Sequence, residues 1–575
     1  MVDNDWNGFN WYTYVRLSNG LVAESFINDV RKLVAKNTSS IKSAYFLQRL
    51  EDIHLYSNIK SELERNSNSD FVHILAWIGV FILIVGLVNF INFLIVVAVQ
   101  RYKEVGVYKV NGASAGSLFF SFFIEALFWI VLSICFSAFV IQSVLPTVNS
   151  IFGVNLNFDL SLSNLIFIVF VAISLTVITA AIPAYYYCRF EPLVVLKRSF
   201  QGDVQPTIRK VMVATQIFVT AIFLVMMLTI SRQLDFIYTS DLGFEKEQHI
   251  VLTGVENGEA IKNELLHLPE IMNVSFASSL PGDQSMFFNA TVKGSSKSTI
   301  IDYAFVDDDY FEVLGLTLTE GRMFSRQQPP DRKSFPMIIN QTAARVLGIE
   351  GNAVGSKITP NPKSETPVYF EVIGVVKDFN FSTLYQEVKP YLFSFTRTTD
   401  KLIVKTTKRN QETIRKIEGV WKENIKNKPL DYYFLDDRLQ SQYSHEEKFK
   451  NLLWLLTAIT LFITCSGLIS VASLLISRRQ KEFGIRKVMG ASVVNLFHSV
   501  CLEYLQLTLI SIALSFPLAI YLSEKWLAFF AYKVPFTGQE LILATITLFV
   551  ATVLMISYQS LKMLSIAPAE SLRHD

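Results

Sequence analysis

Seven apolar stretches, at roughly 73–99, 117–141, 163–187, 210–231, 451–476, 497–522 and 539–560, are each long enough to cross a hydrocarbon core that needs about 20 residues of helix. Inside lipid every backbone N–H and C=O must find a partner within the segment, so runs of this kind fold as helices. A chain that is 51% hydrophobic and 18% charged cannot place this much apolar surface in an ordinary soluble core. The sequence therefore predicts an integral membrane α-helical protein.

Basic residues in short loops set the orientation of such helices. The loop after the first span carries Arg101, Lys103 and Lys109, the loop after the third carries Arg189, Lys197, Arg198, Arg209 and Lys210, and the loop after the fifth carries Arg478, Arg479, Lys481, Arg486 and Lys487. Between Gln142 and Leu162 there is no Lys or Arg, and the loop before the last span has only Lys525 and Lys533. The alternation places the three basic loops and the C-terminus in the cytoplasm. The stretch from Arg232 to Lys450 falls outside, with β-rich runs at Thr366–Val376 and Leu402–Thr406 and helical patterns at Asn340–Leu347 and Gln411–Asn424. It reads as a large mixed α/β extracytoplasmic domain.

Two of the basic loops are copies of one another. RYKEVGVYKVNGAS at Arg101–Ser114 and RQKEFGIRKVMGAS at Arg479–Ser492 share nine of fourteen positions at an offset of 378. Each follows one span and precedes another, so the chain is an internal repeat of membrane units. The expected organisation is 1–70, a C-terminal remnant of a first external domain; 71–200, a first unit of three spans; 201–231, the opening span of a second unit; 232–448, the external domain; and 449–575, a second unit of three spans. On this register the first half should also own an opening helix, so the chain is expected to begin inside its first external domain. The alternative is a complete seven-span protein with a translocated N-terminal tail.

Catalytic signatures are absent from the sequence. There is no G-x-x-x-x-G-K-S/T phosphate loop, and Gly351–Lys357 has the wrong spacing, so the chain is not expected to be an enzyme or to bind ATP itself. Seven scattered histidines and four cysteines in or beside apolar segments offer no metal cluster or disulfide framework. Asp307, Asp308 and Asp309 read as an acidic loop or a helix start before Tyr310–Leu314 rather than a cation site. No catalytic residue, metal ligand or cofactor-binding residue is assigned.

The repeated loop is the candidate site: Lys103, Glu104, Gly106, Lys109, Gly112, Ala113 and Ser114 in the first copy, and Lys481, Glu482, Gly484, Arg486, Lys487, Gly490, Ala491 and Ser492 in the second. As a short interfacial helix it would dock into a cytoplasmic partner; contact with lipid headgroups accounts for its basic residues but not for the matched Glu, Gly and Gly-Ala-Ser. Tyr108 stands where the second copy has Arg486, so the two surfaces need not be equivalent. Glu125 and Glu503 occupy matched intramembrane positions about two turns beyond the loops, where a carboxylate is costly and a structural tie is the favoured reading over a proton relay. Asn89 and Asn92, matched by Gly467 and Ser470, suit close packing between helices.

The K-E-x-G-x-x-K-x-x-G-A-S pattern of these loops resembles the signature of the MacB/FtsX type of ABC transporter permease. Leu280-Pro281-Gly282, Asp309-Tyr310-Phe311, Leu314-Gly315, Gly321-Arg322, Gly355 and Ile373–Phe379 resemble that family's periplasmic core domain, and Glu191-Pro192-Leu193 and Ala567–Arg573 resemble its unit ends. The resemblance implies a permease of the bacterial inner membrane whose loops bind a separate cytoplasmic ABC ATPase, expected to be a dimer, which carries the ATP and Mg. It implies export or extraction of a substrate at the outer side by transmitted conformational change. Membrane lipid and a periplasmic or outer-membrane protein are further expected partners, and nucleic acid is not. The alternative function is a transmembrane signalling module that controls an external partner such as a cell-wall hydrolase.

Overall fold

The computed structural model describes residues 13–17, 23–37, 46–57, 69–100, 107–108, 110–152, 155–188, 206–283, 285–295, 297–325, 334–360, 367–426, 428–478 and 493–564. Residues 1–81 and 82–575 are two compact units. The first contains α1 (Ala23–Asn37), an amphipathic helix, and the short α2 (Ile53–Tyr56). Helix α3 (Ser69–Gln100) runs from the first unit into the second.

Three long helices follow: α4 (Ala115–Phe152), α5 (Leu162–Cys188) and α6 (Pro206–Thr239). The external domain then runs β1 (His249–Thr253), α7 (Gly258–Leu266), β2 (Ile271–Phe276), β3 (Met286–Val292), β4 (Ser298–Val306), α8 (Tyr310–Val313), β5 (Leu318–Gly321), β6 (Ser334–Asn340) and α9 (Gln341–Leu347). It continues with β7 (Lys357–Thr359), β8 (Tyr369–Val376), β9 (Tyr391–Phe395), β10 (Lys401–Thr406), α10 (Gln411–Asn424), β11 (Asp431–Phe434) and α11 (Leu435–Ser441). Helices α12 (Ser444–Arg478), α13 (Val493–Leu527) and α14 (Gln539–Leu564) complete the described chain.

Six helices, α4, α5, α6, α12, α13 and α14, are long and apolar enough to cross a membrane among the described residues. The expected first span lies in α3, where the described apolar stretch is Gly79–Ile91, too short to count as a seventh. Helix α6 is the hub: 61% of its apolar window is buried, against 11% for α4, and it packs on α12, α13 and α14, while α4 packs on α5. The exposed Phe, Leu and Ile side chains on the remaining helices suit contact with lipid tails, which are as apolar as they are.

In the external domain the expected strand runs appear as β8 and β10, and the expected helices as α9 and α10. Asn340 and Asn410 start those helices by accepting the N–H of Ala343 and of Thr413, each at 2.9 Å, and Gly348 ends the first at φ 72°. A four-stranded antiparallel sheet, β11-β1-β10-β2, faces a second sheet ordered β5-β8-β6-β9-β4-β3-β7, in which β7 also pairs with β8 and closes the ring. Between the two sheets lies an aromatic core of Tyr310, Phe311, Phe379, Tyr391 and Phe393. A second core joins the small sheet to α7 and α10 around Trp421, and a third joins the large sheet to α9.

The acidic run Asp307–Asp309 does precede a helix start, at α8. Its carboxylates are answered by protein: the Lys262 ammonium, itself buried, reaches Asp307 at 2.6 Å and Asp309 at 2.5 Å, and Ser275 donates to Asp307 at 2.5 Å. Burial pushes the Asp307 carboxyl above the usual carboxylate range, and the Lys262 ammonium pulls against that shift.

Candidate functional site

Gly112, Ala113 and Ser114 form a helix-to-helix turn. Val107, Tyr108 and Val110 are helical, Asn111 N–H bonds to Val107 O at 3.0 Å, and Ala113 N–H reaches back five residues to Tyr108 O at 2.9 Å. That long bond belongs to the Schellman motif, which requires a left-handed residue just past the helix, and Gly112 supplies it at φ 88°. Ser114 then caps α4, its hydroxyl accepting the Ser117 N–H at 3.2 Å. The Gly-Ala-Ser of the first copy thus has a local structural cause. It holds up an apolar face in which Val107, Tyr108 and Val110 are 49%, 57% and 59% exposed. Lys103, Glu104, Gly106 and Lys109 lie outside the described residues, as do Lys481, Glu482, Gly484, Arg486, Lys487, Gly490, Ala491 and Ser492.

Beyond the second loop, Glu503 on α13 accepts the Lys210 ammonium of α6 at 2.7 Å. Glu125, its repeat equivalent on α4, is half-buried and also has an interaction partner. At the other end of α6, Arg232 donates to Glu540 at 2.7 Å and to Thr537 at 2.6 Å. The Gln233 amide accepts from Val534 N–H and donates to Tyr532 O, both at 2.9 Å. Helix α6 is therefore bonded to α13 at its inner end and to α14 and the loop before it at its outer end.

The same outer loop is stitched to the external domain. Leu384 N–H donates to the Tyr443 hydroxyl at 2.7 Å, and the Tyr385 hydroxyl donates to Glu446. Tyr385 stacks on Phe530 with centroids 4.5 Å apart, while Ala531 and Tyr532 N–H reach the carbonyls of Tyr385 and Leu384 at 3.3 Å. Burial, then the Glu446 carboxylate, raises the Tyr385 hydroxyl far above its ordinary range, and burial pushes Tyr443 up to about 12.

Within the membrane helices the Asn89 amide donates to Ser466 Oγ at 3.0 Å and the Thr220 and Thr464 hydroxyls meet at 2.9 Å. A Cβ on Gly467 would lie 3.0 Å from Asn89 Oδ1 and 2.6 Å from Gln216 Oε1. Gln216 is wholly buried and neither of its amide atoms has a partner. Sequence reasoning placed Lys210 among loop charges and Arg232 at a domain edge and passed over Gln216. A polar residue inside an apolar run was the available signal for Gln216, whereas nothing local pairs Lys210 with Glu503 or Leu384 with Tyr443.

Residues 76–192 and 454–568 match the family described as FtsX-like permease C-terminal, and residues 213–418 match the MacB-like periplasmic core domain. The two permease matches start at the same offset as the repeated loops. Among curated proteins, the macrolide export ATP-binding/permease protein MacB of Salmonella typhimurium is 23% identical over 260 residues, covering 41% of this chain and 39% of the relative. An uncharacterized ABC transporter permease of Bacillus subtilis, YvrN, is 26% identical over 209 residues, covering 32% and 49%. The chain spans less than half the length of these two relatives. Among solved structures, the periplasmic region of MacB from Actinobacillus actinomycetemcomitans aligns at 18% identity over 36% of this chain and 97% of that one, with a TM-score of 0.26.

Proposed function

The chain carries the domains of an FtsX/MacB-type permease, and from that premise we propose that it is the membrane subunit of an ABC transporter, driven by a separate cytoplasmic ATPase that holds ATP and Mg. The loops at 101–114 and 479–492 contact the ATPase, with the C-terminus on the same side of the bacterial inner membrane. The external domain handles a substrate for export or extraction on the far side.

The observation that carries this reading is the pinning of α6 at both ends. The helix runs continuously from Pro206 to Thr239, about 51 Å at 1.5 Å per residue. Its inner end is bonded through Lys210 to α13, which starts at Val493, directly after the second loop; its outer end leads into the external domain. A displacement of that loop would move α13, then α6, then the domain. No wide aqueous channel is needed for such a mechanism.

The two repeats also meet. Asn89 and Gly467, 378 positions apart, are adjacent, as expected of residues beside a pseudo-twofold axis. Each repeat would then offer one loop to one protomer of an ATPase dimer. Co-purification with candidate ATPase subunits tests the reading, comparing the wild type with Glu104→Lys, Glu482→Lys and Gly484→Trp. A stable complex with ATPase activity that the substitutions abolish is the expected result; binding indifferent to all three would reassign the loops to membrane anchoring.

A further inference from the structure

A cavity of about 140 Å³ opens beside the outer end of α6. Its apolar walls are Ile237, Leu242 and Leu439, and Tyr238 and Tyr443 meet edge-on beside it at 6.5 Å. The volume is below the usual 300–1,000 Å³ of a drug-sized site and suits a small polar group instead.

Its depth is fixed by helix geometry. From Lys210 to Tyr238 the helix rises about 42 Å, close to the roughly 40–45 Å of a bilayer with its headgroup layers. With Lys210 at one headgroup layer, Tyr238 stands in the other. Trp526, Phe530, Tyr532 and Tyr385 lie around the same junction, as interfacial aromatic residues do.

Its polar groups carry both signs and are incompletely used. Lys246 spends one of its three N–H donors on Tyr238 O at 2.6 Å. The buried Tyr238 hydroxyl has no partner. Glu247, exposed at the rim, has no ion pair among the described residues, while Asp436 is already held by Arg409 at 2.5 Å. The Lys246 ammonium thus has donors left for an anion and Glu247 awaits a cation, whereas the Tyr238 hydroxyl is buried in the field of the Glu447 and Glu446 carboxylates.

We propose that this cavity binds the headgroup of a zwitterionic phospholipid of the outer leaflet, its phosphoryl oxygens at Lys246 and its ammonium at Glu247. The acyl chains would lie along α6 in the adjoining lipid. The inference requires the membrane placement of α6 and is independent of ATPase coupling.

The test uses the full chain, delipidated in detergent, titrated by native mass spectrometry with dioctanoyl phosphatidylethanolamine, dioctanoyl phosphatidylglycerol and soluble glycerophosphoethanolamine. One phosphatidylethanolamine should bind about tenfold more tightly than phosphatidylglycerol, as expected for one charge-assisted hydrogen bond. Lys246→Gln should weaken it by about tenfold, and Glu247→Gln should erase the preference between the two lipids. Lys246→Arg keeps the charge and should bind as the wild type does, so the loss in Lys246→Gln reads the charge rather than folding. Equal binding of both lipids, untouched by the substitutions, would mean non-specific annular lipid and overturn the proposal. Glycerophosphoethanolamine binding as tightly as the lipid would overturn the bilayer as source and leave a site for a soluble zwitterion.

Discussion

Asn89 lies against Gly467, its own equivalent in the second repeat, and bonds at 3.0 Å to the neighbouring Ser466. Two helices that meet at equivalent positions behave like the two sides of a dimer interface, here joined within one chain. Gly467 makes the approach close, since any Cβ there meets the ends of Asn89 and Gln216.

Gly467→Leu should therefore lower the thermal midpoint of the detergent-purified protein, at a cost of about 1–3 kcal/mol for overpacking. Gly467→Ala should cost less, because the atom it meets first is the mobile end of Gln216. An unchanged midpoint for the leucine variant would show that the seam is loose.

Lys210 and Glu503 are 44% and 29% exposed, so their pair is screened and contributes only about 0–1 kcal/mol to stability. Glu503→Gln should leave the thermal midpoint nearly unchanged yet reduce ATPase stimulation in the reconstituted complex. The exchange Lys210→Glu with Glu503→Lys should restore it. Loss of stability without loss of stimulation would reduce the pair to a packing feature.

Lys262 is a different case, for its partner Asp307 is 1% exposed. Lys262→Met strands that carboxylate and should cost about 3–5 kcal/mol in denaturant unfolding. Adding Asp307→Asn should recover much of the loss, and equal stability of the single and double variants would contradict the pairing.

His249 is buried, with Nε2 against Val313 O at 2.8 Å, and burial lowers its pKa below the ordinary 6.5. Above that pH both folded and unfolded states keep it neutral. As pH falls below it the unfolded chain takes up a proton that the folded one refuses, so stability declines by at most about 1.4 kcal/mol per pH unit. Unfolding midpoints between pH 7.5 and 5 should show this decline, and His249→Gln should flatten it.

Much of this architecture is legible in one dimension. Apolar length marks six of the spans, and period and punctuation mark α9, α10, β8 and β10, because each depends on residues a few positions apart. The bonds that tie α6 and the external domain to their neighbours are different. Glu503 stands out in the sequence as a carboxylate inside a span, but its partner Lys210 lies in another helix and looks like one more loop charge. The ring closure of β7 on β8 and the Leu384 to Tyr443 bond leave no periodic trace either. Gly112 and Ser114 drew notice for being repeated, whereas their immediate cause is backbone geometry at a turn.

That turn has an evolutionary consequence. Its shape is set by one left-handed glycine and one capping serine, neither of which needs a particular neighbour on the exposed face. Tyr108 can therefore differ from its repeat counterpart Arg486 while the hairpin of the first loop stays folded, so the exposed face of a copied loop is free to change without a refolding penalty.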